Sequence, residues 1–163
     1  MENCIYHSKD LDGLCSAAVM YANQKNFGEQ LSLVGYDYGQ KLDTRRFKGK
    51  ITVMIDVSME MDRMETLGKG CLEFIWIDHH ISAKDKLFAY CEEKGYDVKV
   101  NELNSLITCY DVKQMNMVYY YSDKLSACEI AASLYAPNIG KKRKKVVGML
   151  GQYDTWRNTE EKQ

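Results

Sequence analysis

Apolar runs that end abruptly in histidine or aspartate set the rhythm of the first half of the chain. Cys4-Ile5-Tyr6 leads into His7, Ile51-Thr52-Val53-Met54-Ile55 into Asp56, and Ile75-Trp76-Ile77 into Asp78-His79-His80. Short runs of nearly unbroken apolar character read as strands covered on both faces. They predict strands over residues 3–6, 31–36, 51–55 and 72–77. Helical spacing fills the gaps between them. Leu14, Ala17, Ala18 and Tyr21 fall at the i, i+3, i+4 and i+7 positions of one face and predict a helix over residues 14–26. A second helix is predicted over residues 60–69. A third runs from an N-cap at Ser82 to Lys94, where Gly95 ends it.

The second half is less regular. Residues 96–100 and 106–110 read as strands, and residues 115–121 as a weaker third. A helix over residues 126–135 opens on Ser126 with Glu129 three residues on, the pattern of a capping box. Pro137, the only proline, breaks the chain, and a last helix over residues 140–152 delivers Asp154. Strands alternating with helices predict an α/β fold, with a mainly parallel central sheet flanked by helices on both faces. No repeat, linker or low-complexity tract divides the 163 residues, so residues 1–163 are expected to form one domain. A chain of this size can bury roughly 70% of its unfolded surface.

Composition narrows the function more by exclusion. The net charge of −1 and pI near 6.3 carry no global positive field for nucleic acid. Lys141-Lys142-Arg143-Lys144-Lys145 is a local exception, read as the solvated first turn of the last helix, with contact to a phosphate-bearing partner as the alternative. No secretory signal opens the sequence and no run of about 18 apolar residues could span a bilayer. The six cysteines are widely spaced without a Cys-x-x-Cys pair, which fits neither a zinc finger nor a disulfide framework. They read as small core residues of a cytoplasmic protein.

The chemistry lies where the strands end. All three histidines stand in acidic clusters: His7 with Asp10 and Asp12, and His79 and His80 with Asp78. In an open parallel sheet ligands bind beyond the carboxyl ends of the strands. His7, Asp56 and Asp78 should therefore meet on one rim, with Asp10 and Asp12 turning into the same space. So many carboxylates cannot all stay ionised in one cleft without compensating charge. Imidazole and carboxylate donors suit a divalent cation, and two cations would supply the charge. Asp12 taken alone reads equally well as a helix cap. Nothing marks a side-chain nucleophile, since no serine or cysteine sits beside a free histidine in the required arrangement.

His7-x-x-Asp10-x-Asp12-Gly13, Asp56 closing a strand, Asp78-His79-His80 closing another, and Asp154 near the end together resemble the DHH phosphoesterase superfamily. Its members include single-strand DNA exonucleases, nano-RNases, cyclic-dinucleotide phosphodiesterases, exopolyphosphatases and inorganic pyrophosphatases. The resemblance implies that His7 and Asp10 ligate one metal, that Asp12, His79 and Asp154 ligate another, and that Asp56 bridges them. It implies Asp78 as an orienting group behind the histidines and His80 as a catalytic group facing the substrate phosphate. Two Mn2+ ions are the implied cofactors, with Mg2+ or Co2+ as substitutes. The implied reaction is attack of a metal-activated hydroxide on a phosphodiester or phosphoanhydride bond. The expected substrate is a phosphate-containing small molecule or a short single-stranded nucleic acid, most of all a nucleotide or short oligonucleotide.

Three further segments read less sharply. Ser126-Ala127-Cys128-Glu129 resembles the helix start that many members place near the active site, in a capping or a substrate-contact role. Tyr119-Tyr120-Tyr121 reads as an aromatic strand, or as a platform for stacked bases. Arg157 reads as a surface residue, or as a phosphate contact. Most family enzymes continue into a second domain that selects the substrate, and its glycine- and histidine-rich motif has no counterpart before Gln163. The chain is expected to be a catalytic-domain fragment, or a short form completed by an oligomer or partner. Inorganic pyrophosphatase or exopolyphosphatase activity, and a metal-binding module without turnover, are the rival readings.

Overall fold

The computed structural model describes residues 3–24 and 31–156. Five strands run parallel: β1 (Asn3–His7), β2 (Ser32–Tyr36), β3 (Ile51–Ile55), β4 (Glu73–Asp78) and β7 (Met117–Tyr121). β6 (Thr108–Val112) lies antiparallel to β7, and β5 (Lys99–Glu102) antiparallel to β6. The sheet order is β2-β1-β3-β4-β7-β6-β5. The helices are α1 (Leu11–Ala22), α2 (Met61–Gly70), α3 (Ile81–Lys94), α4 (Ala127–Tyr135) and α5 (Lys141–Asp154).

Each central strand splits its apolar side chains between two cores. Met54, Phe74 and Trp76 face a layer built from α2 and α3, where Met64, Leu67 and Leu87 pack. Val53, Ile55, Ile75 and Ile77 face Val19 and Met20 of α1, Ile130 and Ala131 of α4, and Val147 of α5. Burial on both sides is why these strands show continuous apolar runs rather than alternation. From β1 the chain goes first to β2 on one side and then to β3 on the other. The sheet order therefore reverses between β1 and β3, and the layers diverge there to leave a crevice at the carboxyl ends. Tyr6 pairs with Ile55 and Ile55 with Ile77, so the residues that follow them, His7, Asp56 and Asp78, stand level along the rim.

Several expectations are corrected or sharpened. The face of α1 marked by Leu14, Ala18 and Tyr21 points to solvent, while Asp12, Gly13, Ser16, Ala17, Val19 and Met20 are buried. α1 also begins at Leu11, ahead of the predicted start; the predicted end at Asn26 lies outside the described residues. Ser82 lies inside α3, whose N-cap is His80. The weak strand candidate is β7, a central strand paired with β4, because Tyr119 stacks on Trp76 with ring centroids 4.1 Å apart. Tyr119 is fully buried and Tyr121 nearly so, which closes the base-stacking role for them. The capping box at Ser126 and Glu129 is present, and Lys141 to Lys145 are exposed. All six cysteines are free thiols. Arg157 lies outside the described residues.

Candidate metal centre

The rim residues converge. His7 closes β1, and Asp10 caps α1 in the turn that follows, its Oδ1 accepting from Gly13 N at 2.8 Å. Its other oxygen, Oδ2, contacts His7 Nδ1. Gly13 allows this closeness: a Cβ there would lie 2.1 Å from the His7 carbonyl oxygen. Asp12 is buried in the first turn of α1, and its two oxygens accept from Ala127 N at 2.8 Å and Cys128 N at 2.9 Å. The amino end of α4, where the helix dipole is positive, thus compensates a buried carboxylate. Asp12 does not cap its own helix, whose N-cap is Asp10, but holds the start of α4, and its Oδ2 also stands 3.7 Å from His79 Nε2.

Asp56 is 1% exposed and lies between the two histidines. Its Oδ2 is 3.7 Å from His7 Nδ1, and its Oδ1 is 3.5 Å from His79 Nε2. Its φ of +61° is a left-handed conformation that a non-glycine residue adopts at a cost, here where the chain leaves β3. Asp154, carried in by the end of α5, places Oδ2 2.9 Å from His79 Nε2. Two sets of donor atoms result, each within 4.8 Å of one another: His7, Asp10 and Asp56, and Asp12, His79 and Asp154. Asp56, His79 and His80 form a third such group.

Asp78 is fully buried and organises the turn between β4 and α3. Its Oδ1 accepts from His79 N at 2.7 Å and His80 N at 3.0 Å, and lies 2.7 Å from His80 Nδ1. The ring it orients is therefore that of His80. Sequence reasoning missed Asp37 and Tyr38. Asp37 Oδ1 sits 3.2 Å from His7 Nε2, and the Tyr38 ring packs edge-on against His7 at 5.3 Å. Asp37 follows the last residue of β2, so the strand-end rule that found Asp56 and Asp78 also points to it.

The electrostatics are those of an anionic cleft. Burial pushes the Asp56 carboxyl up to about 9, against the pull of His79 and with the push of Asp12, Asp10 and Asp78. Burial works against a charged His79, but Asp154, Asp56 and Asp12 raise it to about 10. His79 in turn lowers Asp154, and the Asp78 carboxylate raises His80. His7 Nδ1, both oxygens of Asp56, His79 Nε2 and Asp154 Oδ2 are buried, yet none completes a hydrogen bond of acceptable geometry. Buried lone pairs without partners are costly. Nitrogen and oxygen donors that approach without bonding one another fit a shared divalent cation.

The DHH family, N-terminal domain, matches residues 3–151. This chain belongs to the DHH family. The matched span holds every residue of the centre except Asp154. No curated protein and no solved structure is similar enough to count as a match. Membership of the DHH family points to metal-dependent phosphoester chemistry, and the acidic and histidine groups of this DHH domain can bind metal. Among the described residues, no helix is long and apolar enough to cross a membrane.

Proposed function

We propose that this DHH protein is a metal-dependent phosphoester hydrolase acting on phosphodiester or phosphoanhydride bonds, with nucleotides and short oligonucleotides as substrates and Mn2+ as the working metal. One observation carries the reading: the two oxygens of a single buried carboxylate, Asp56, face two separate histidine-acid sets. A carboxylate so placed could be shared by two cations about 3.5–4 Å apart. His7 and Asp10 would hold one ion, Asp12, His79 and Asp154 the other, and Asp56 both.

Bound divalent cations supply Lewis acidity toward a phosphoryl group and ease the deprotonation of water. The side chains do the rest. Asp37 fixes the His7 ring through the nitrogen that faces away from the centre. Asp78 holds His80 by Nδ1 and favours its protonated form, so Nε2 can give a proton to the departing oxygen. His80 is the more exposed histidine of the pair, as a group that meets substrate must be.

The test is turnover of a labelled dinucleotide, bis(p-nitrophenyl) phosphate and pyrophosphate by the purified chain with Mn2+. Hydrolysis of the two diesters that is abolished by Asp56→Asn supports the reading. Phosphate release from pyrophosphate alone would replace it with a pyrophosphatase, and Mn2+ binding without turnover of any of the three would leave a metal-binding module.

A further inference from the structure

A polar cleft lies beyond β4, on the side of the sheet away from His7. A single row of the sheet leads into it: Asp78 pairs with Tyr121, Tyr121 with Thr108, and Thr108 with Glu102. At about 4.8 Å per strand the row reaches roughly 14 Å from Asp78 to Glu102. The cleft holds about 270 Å3 and is lined by Tyr121, Thr108 and Glu102 of that row, together with Lys84, Asn104 and Ser105. Drug-sized ligands usually occupy about 300–1,000 Å3, so this space suits one small polar unit.

Lys84 is its most informative residue. It lies one turn beyond His80 on α3, on the same side of the helix. It is half-buried, it makes no ion pair among the described residues, and its Nζ lies 4.6 Å from the centre of the Tyr121 ring. A half-buried ammonium without an acidic partner, beside an acidic metal rim, has a phosphate as its natural counter-ion. Farther along, Glu102 and Thr108 present acceptors that suit hydroxyl and amino groups, and Glu102 repels a second phosphate.

We infer that this cleft is the subsite for the nucleoside flanking the scissile phosphate, with Lys84 at its mouth on the phosphate and the Glu102 end on sugar and base. A unit that spans the row is a nucleoside, whereas pyrophosphate is too short to reach its far end. The inference rests on the hydrolase reading for where the phosphate sits.

The experiment compares the full chain with K84M and S105W, the second placing an indole in the cleft from an exposed position. Two readouts are taken with Mn2+: kcat/KM on a dinucleotide against bis(p-nitrophenyl) phosphate, and the Kd for a nucleoside monophosphate by calorimetry. Each variant is expected to lower the preference for the dinucleotide about tenfold, through KM, and to weaken the monophosphate about tenfold. Unchanged preference and unchanged Kd in both variants would overturn the subsite. If the wild type hydrolyses neither ester while the variants still weaken the monophosphate, the hydrolase reading fails and the nucleoside site stands.

Discussion

Asp37 Oδ1 lies 3.2 Å from His7 Nε2, on the side of the ring opposite Asp10 and Asp56. A carboxylate behind a ligating imidazole fixes its tautomer and raises its basicity. Asp37→Asn should therefore weaken Mn2+ binding about 10–100-fold while leaving the melting temperature of the metal-free protein nearly unchanged. Calorimetric titration decides it; equal affinity in mutant and parent would remove Asp37 from the centre.

Asp56 should separate function from stability. Its carboxyl is buried among other acids, so the metal-free fold must hold it protonated at a cost an amide avoids, and its backbone sits in the left-handed region. Asp56→Asn should cut hydrolysis at least about 10³-fold. It should also raise the melting temperature of the metal-free protein by about 2–4 °C, the equivalent of about 1 kcal/mol. A mutant that keeps its rate contradicts the bridging role.

Asp12 should behave in the opposite way. Both of its oxygens hold backbone N–H groups at the start of α4. Asp12→Ala strands those donors and should cost roughly 2 kcal/mol of metal-free stability. Urea denaturation with chelator present measures this, and a stability gain would show that the α4 contacts are not what anchors the residue.

The metal-free protein should lose stability as pH rises. Asp56 goes from an ordinary value of 3.8 to about 9 on folding, and His79 from 6.5 to about 10. The folded state thus holds more protons than the unfolded state across this window, so stability falls as pH climbs through it. Asp154 shifts downward and acts only at more acid pH. Bound Mn2+ replaces those protons, so the rise in melting temperature it causes should be larger at pH 8.5 than at pH 6. Thermal scans at both values, with and without Mn2+, provide the check. A metal-free melting temperature that climbs over this range would contradict the assignment.

Gly13→Ala should damage fold and site together. The added methyl meets the His7 carbonyl oxygen at 2.1 Å, and backbone cannot rotate out of the way. A loss of about 3 kcal/mol is expected, with weakened Mn2+ binding. A mutant as stable as the parent would mean that α1 can move off β1 without harm.

The parallel core was legible because β1, β3 and β4 are buried on both faces and so carry uninterrupted apolar runs. The rim followed from strand ends, which is why the sequence alone groups His7, Asp56 and Asp78. The orientation of α1 was not legible. Its buried face holds Asp12 and Ser16, committed to the centre and to packing, while Leu11, Leu14 and Tyr21 are exposed, so hydrophobic spacing selects the wrong side. Asp37 was hidden for another reason. It follows a strand end as Asp56 does, but its meaning depends on β2 lying next to β1, which brings it to His7, a tertiary fact. The same holds for the cleft at Lys84, which exists only because β7 and its antiparallel neighbours extend the sheet.

Asp10 uses one oxygen to cap α1 and turns the other to His7, while both oxygens of Asp12 fasten α4 and its Oδ2 also faces His79. Thiolate-preferring ions therefore cannot be accommodated by exchanging these aspartates for cysteine: sulfur is a poor acceptor for the amides of α1 and α4, and both helices would come loose. A change of donor chemistry at this centre would therefore have to rebuild the helix ends with it.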